Sequence, residues 1–179
     1  MFDRNSSGNV IFFWNKIFYF GTVLLFFCPL FVLPNSFIFP FVVPKVLLFR
    51  SVTLFLVVMC LFSRVAEKKR LDFLLTPVSK MVGLFFLSTT FSMVLGLDWY
   101  KSLWDNHERM LGFFTLMHYG LFFLILCAVY QNRRDWILLF RWFLGAGSIV
   151  MLVGVWQYFF DRNFLLNMGN VRVSATLGN

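Results

Sequence analysis

The sequence predicts an all-α polytopic membrane helix bundle of about five transmembrane helices, N-terminus inside and C-terminus outside. Three observations carry that reading. Apolar residues are 60% of the chain and charged residues only 13%, whereas a soluble domain is about 25% charged. Phe alone fills 27 of 179 positions, more apolar surface than so small a core hides from water. The apolar residues also gather into five blocks, 17–33, 46–63, 73–97, 110–130 and 136–160, within a single transmembrane domain over 1–179. Each block is close to or above the ~20 residues that cross ~30 Å of hydrocarbon at ~1.5 Å per residue.

Each block has its own justification. The first ends at Pro34-Asn35 without a small-residue cleavage pattern, so it reads as a retained span rather than a signal peptide. The second carries Arg50 about one turn inside its outer edge, and the third carries Pro77 and Lys80 near its inner edge. The fourth contains the unbroken run Leu121–Leu126, which lacks the alternation a β-barrel strand requires. Lipid-facing irregular backbone is excluded, because its polar groups would have no partners. The fifth holds Gly145, Gly147 and Gly154, a set suited to close helix packing although it is not a GxxxG motif.

Charge sets the expected orientation. Segments 1–16, 64–72 and 131–142 hold nine Lys and Arg residues, against five in the segments at the opposite ends of the spans. Cytoplasmic loops are enriched in cations, so the N-terminus is expected inside. Trp14, Trp136 and Trp142 lie near one proposed surface, and Trp99, Tyr100, Trp104 and Tyr158 near the other. Their amphipathic rings favour the headgroup layer. The net charge of +8 is scattered among apolar blocks with no basic helix face. It therefore reports topology and points away from a nucleic-acid partner.

Cys28, Cys60 and Cys127 each lie in an apolar stretch without a CxxC pair or a Cys/His cluster. They read as small buried hydrophobes, not as a metal site or a disulfide framework. No P-loop, HExxH, GxSxG or dinucleotide fingerprint is present.

The remaining polar residues have competing readings. Arg50, with Lys45 five residues before it, either snorkels to the interface or turns a cation into the bundle to bind an anion. Lys80 reads as an inner-edge snorkeller. Arg109, beside Met110-Leu111-Gly112, either forks onto phosphate oxygens or pairs with Glu108 or Asp105. His107 reads as a solvated loop residue and His118 as an interhelical hydrogen-bonding residue rather than a proton relay. Composition and spacing end at an outward-facing cationic membrane protein.

Three segments carry a resemblance. Phe39-Pro-Phe-Val-Val-Pro-Lys45, leading to Phe49-Arg50, resembles the entry to the second span of O-antigen ligase-like proteins. Ser102-Leu-Trp-Asp-Asn-His-Glu-Arg109-Met-Leu-Gly112 resembles an outer loop of that family built on Ser-Trp-Gly and Glu-Arg. Arg172-Val-Ser-Ala-Thr-Leu-Gly-Asn179 resembles the family segment that precedes a further span. The sequence departs from the pattern at Asp105, where Gly is common. It also ends at Asn179 without the later loop expected to hold the family's catalytic histidine, which neither His107 nor His118 matches.

The resemblance implies the N-terminal part of a larger membrane-embedded glycosyltransferase-type fold in a bacterial plasma membrane. It implies a metal-independent, cofactor-free transfer on the outer face. The donor is a polyprenyl-diphosphate-linked oligosaccharide, and the acceptor is a glycan, a lipid or a protein hydroxyl. Arginines hold the diphosphate. By motif position Arg172 is the first such candidate and Arg109 the next, with Lys45 and Arg50 after them, and no catalytic residue is expected in this chain. For Arg172 a loop salt bridge is the competing role. Two alternatives stand beside this reading: a non-enzymatic multi-pass protein such as a transporter half or assembly subunit, and an inactive gene fragment.

Overall fold

A computed structural model describes residues 4–33, 41–67, 75–106, 109–161, 164 and 175–176. Among them every regular element is helical: α1 (Arg4–Phe26), α2 (Val43–Glu67), α3 (Pro77–Leu95), α4 (Trp99–Trp104), α5 (Phe113–Val129) and α6 (Arg133–Phe159), with a short 3₁₀ turn at Cys28–Leu30. Among the described residues three helical segments are long and apolar enough to cross a membrane, Val43–Val65, Pro77–Leu95 and Arg133–Phe159, and α5 is apolar but shorter. The chain thus has the character of a membrane protein, with lipid as the solvent for its outer faces.

Helix ends follow local chemistry more than the edges of apolar blocks. The helix within block 17–33 stops at Phe26, because Pro29 lies in the 3₁₀ turn that follows and removes a backbone donor. Pro77 does not break α3 but starts it, at the first position, where the missing N–H costs nothing. Thr76 caps that helix by accepting from the Ser79 backbone N–H at 3.3 Å. Arg141, counted above with an inner loop, lies well inside α6. The connection between α3 and α5 contains an extra turn, α4, whose cap Asp98 accepts from the Lys101 N–H at 2.9 Å.

Packing is arranged as a row. α2 lies between α1 and α5, α3 packs on the far side of α5, and α6 packs on α1. The core is formed by Phe18 and Leu25 of α1, Leu56 and Cys60 of α2, and Ile125 and Ala128 of α5. Aromatic edges tie the row together: Phe26 meets Phe122 of α5 at 6.4 Å and Phe143 of α6 at 5.7 Å. The outer helices α3 and α6 leave most of their apolar side chains exposed, as helices facing hydrocarbon do. All three cysteines are free, with Cys28 and Cys60 buried.

The up-and-down course separates two ends. One end collects the starts of α2 and α5, the ends of α3 and α6, and the α4 loop. The other collects the end of α2, the first half of α1 and the α5–α6 junction.

Candidate functional site

The end that collects the starts of α2 and α5 brings together described parts of all three motif segments. Lys45, in the first turn of α2, donates from Nζ to the backbone carbonyl of Thr176. Its ammonium also stands 5.8 Å from the centre of the Phe41 ring. The backbone carbonyl of Lys45 accepts from the Cys28 thiol at 3.2 Å, which ties the 3₁₀ turn to α2.

The Ala175–Thr176 turn is held from α6 as well. Gln157 is fully buried. Its Nε2 donates to the carbonyls of Phe164 at 2.7 Å and Ala175 at 3.3 Å, and its Oε1 accepts from the Ala175 N–H at 2.7 Å. A carboxamide in a lipid-spanning helix is costly unless it is satisfied in this way. Gln157 was not among the residues singled out from the sequence. The available signal was that it is the single carboxamide in the block 136–160.

One turn further along α2, Arg50 faces α5 and does not lie along the lipid surface. Its Nη2 donates to the Thr115 hydroxyl, and the guanidinium carbon lies 4.8 Å from the Phe114 ring centre, a cation–π contact. Thr115 in turn donates to the Met110 carbonyl. Thr53 and His118 are almost completely buried beside these groups in sequence, one turn along each helix. Arg50 Nε, Thr53 Oγ1 and His118 Nε2 are buried without a hydrogen-bond partner among the described residues. The hydrogen bond His118 does make, from Nδ1 to the Phe114 carbonyl at 2.7 Å, lies within α5 and not between helices as expected.

The α4–α5 loop is held by its own backbone. The Asp105 carboxylate accepts from the Leu111 N–H at 3.0 Å, and the Asp105 N–H donates to the Lys101 carbonyl at 2.7 Å. Backbone N–H groups of Asn106 and Leu111, with a smaller contribution from the charge of Arg109, hold the Asp105 carboxyl below the ordinary carboxylate range. Gly112 closes the loop. A Cβ there would stand 2.6 Å from the Trp104 carbonyl carbon and 2.8 Å from the Asp105 nitrogen, and closer still to the Leu103 oxygen. The Trp104 ring packs on Phe114 at 4.9 Å, which docks the loop against α5.

Backbone strain marks the same end. Among the described residues, the non-glycine positions with positive φ are Asp105 (62°), Met110 (51°) and Ala175 (49°). All three fall within the second and third motif segments. Asp105 has ψ −174°, a combination almost restricted to glycine. This is why a glycine suits that position, and the carboxylate bond to Leu111 offsets part of the cost. Such strain persists only where surrounding structure over-determines it, and it clusters at functional sites.

Of the candidate residues, Lys45 and Arg50 are therefore on neighbouring turns of one helix end, Lys45 bonded to Thr176 in the third motif segment and Arg50 to Thr115, three residues past the second. Arg109 is exposed on the loop, with its backbone N–H donating to the Asn106 carbonyl at 3.2 Å. Arg172, with His107 and Glu108, lies outside the described residues. Compared with protein-family models, curated proteins and solved structures, the chain matches none of them.

Proposed function

We propose that this chain supplies a donor-binding face to an O-antigen ligase-like glycan ligase or polymerase acting at the outer surface of a bacterial plasma membrane. The observation that carries the reading is the convergence of the three motif segments. Lys45 reaches Thr176 across 131 positions of sequence, Arg50 reaches Thr115 just past the Arg109–Gly112 stretch, and each strained backbone position falls in the same two loops.

The chemistry suits cations at that end. When a glycosyl group leaves a polyprenyl diphosphate, negative charge builds on the leaving oxygen. Guanidinium groups held in place by protein stabilise that charge without reorganising in the reaction, and fork geometry matches phosphate oxygens. One preorganised donor of this kind contributes ~2.7–4 kcal/mol to the transition state. Arg172 and Arg109 are assigned to the diphosphate. Lys45 and Arg50 are assigned to shaping the approach to it, since both are engaged with protein partners. The catalytic base is assigned to no residue of this chain.

The test is Arg172→Ala in cells whose surface glycan depends on this chain. Ligated glycan should fall to background while the variant still accumulates in the membrane at the wild-type level. Wild-type ligation by that variant would overturn the assignment.

A further inference from the structure

The opposite end of the bundle holds a second polar feature, and it lies far from the convergence of motifs. The last turn of α2, the middle of α1 and the α5–α6 junction enclose a cavity of about 240 Å³. Its floor is Phe18, Cys60 and Ser63, all buried, and its rim carries Asn15, Gln131 and Asn132, all exposed. Arg64 forms one wall and is half-buried.

Several arrangements fit this cavity for an anion. Arg64 donates from Nη2 to the Ala128 carbonyl, which fixes the guanidinium at the C-terminal end of α5 with its charge at the cavity wall. The carboxamides of Asn15, Gln131 and Asn132 add donors at the rim. Among the described residues that line it, none is a carboxylate. Along the chain, Glu67 follows Arg64 by three residues and Asp135 follows Asn132 by three, the Asp135 carboxylate accepting from Asn132 Nδ2 at 3.2 Å. Asn132 precedes α6 without a side-chain cap on that helix, so the positive end of a 27-residue helix also opens beside the rim. Lys16, Arg133 and Arg134 flank the rim residues in sequence.

Size and depth narrow the ligand. Small-molecule pockets run to about 300–1,000 Å³, so this volume suits a compact group such as one phosphate. The apolar stretch of α2 ends at Val65, immediately after Arg64, and that of α6 begins at Arg133. The cavity therefore lies where hydrocarbon gives way to headgroups. The Trp136 indole, which donates to the Tyr130 carbonyl at 2.9 Å, anchors the same level.

We propose that this cavity binds the phosphate of an anionic phospholipid headgroup. The guanidinium of Arg64 takes the phosphate oxygens and the rim carboxamides take the remaining acceptors. An acyl tail attached to that phosphate runs down the apolar sides of the helices.

The test uses the full chain purified in detergent, with phosphatidylglycerol, phosphatidylcholine and inorganic phosphate as separate probes. Lipid retention is read by native mass spectrometry and stability by the thermal unfolding midpoint. Phosphatidylglycerol should be retained preferentially and should raise the midpoint. Arg64→Gln should reduce that retention roughly fivefold or more, the effect of one cation on one anionic headgroup. Because Arg64 also braces α5, Gln131→Leu serves as a second variant that narrows the cavity and leaves the Arg64–Ala128 bond intact. It should reduce retention while the midpoint measured without lipid stays at the wild-type value. Equal retention of phosphatidylcholine, or unchanged retention in both variants, would overturn the site. A midpoint rise with inorganic phosphate that matches phosphatidylglycerol would overturn the lipid assignment in favour of a soluble anion.

Discussion

Replacing Gly112 with Ala places a methyl group against backbone that cannot turn aside. The added Cβ would be 2.6 Å from the Trp104 carbonyl carbon and 2.8 Å from the Asp105 nitrogen, where ordinary contacts are about 3.5–4.0 Å. The α4–α5 loop must therefore open by roughly 1 Å. Overpacking against side chains costs about 1–3 kcal/mol, and here no rotamer change relieves it. Opening also stretches the Leu111–Asp105 bond of 3.0 Å and the Asp105–Lys101 bond of 2.7 Å, each worth about 1 kcal/mol. The loop should lose about 3–5 kcal/mol of local stability. Amide hydrogen exchange measures this directly. The N–H groups of Asp105 and Leu111 should exchange at least about a hundredfold faster in the variant, since each 1.4 kcal/mol is about tenfold. Amides in the core of α2, near Leu56, should be unchanged. Exchange at Asp105 and Leu111 within a few-fold of wild type would refute the close-approach argument.

Three further outcomes follow from the same structure. At Asp105, Gly relieves a backbone conformation that costs about 1–3 kcal/mol, but it also removes the carboxylate bond to Leu111. Asp105→Gly should therefore be near neutral and Asp105→Ala clearly destabilising, a ranking that thermal unfolding of the purified variants checks. The lowered pKa of Asp105 means that its stabilising effect is complete above the ordinary carboxylate range. It is lost as pH falls through the depressed value, so wild-type loop protection should hold from pH 8 to about 5 and fade only below about 4. In the core, a Cβ on Gly21 would approach Leu56 Cδ2 to 2.7 Å. Gly21→Ala alone should cost about 1–3 kcal/mol, and adding it to Leu56→Ala should cost nothing more, because the methyl then fills the vacated space. An additive double mutant would contradict that contact.

Membrane character and helical structure were legible in the sequence because lipid allows few alternatives. Long apolar runs cannot leave backbone groups unpaired in hydrocarbon, so composition and run length already dictate helices such as α2, α3 and α6. Helix ends were partly legible. Pro29 and Thr76-Pro77 carry their boundary signals in the open, yet apolar block edges drew the first span to residue 33 and began the third at residue 73. Local hydrogen bonding, and not hydrophobicity, decides where a helix stops. Neighbour relations were not legible. Helices that are apolar all round have no face that names a partner, so the order α3, α5, α2, α1, α6 came from packing alone.

The candidate site divides along the same line. Residue types and motif order marked Lys45, Arg50 and Arg109 from sequence, and the departure at Asp105 was visible as a letter. Its consequence was not, because only the folded loop shows that position in a glycine-favouring conformation. Gln157 gained its role, and Lys45 its partner, from contacts spanning 18 and 131 positions. Sequence by itself determined the solvent, the helical class and the residue types available for chemistry, since these depend on side-chain transfer energies and local backbone rules. Tertiary structure decided which of those residues meet, because that depends on how the long apolar helices fit against one another.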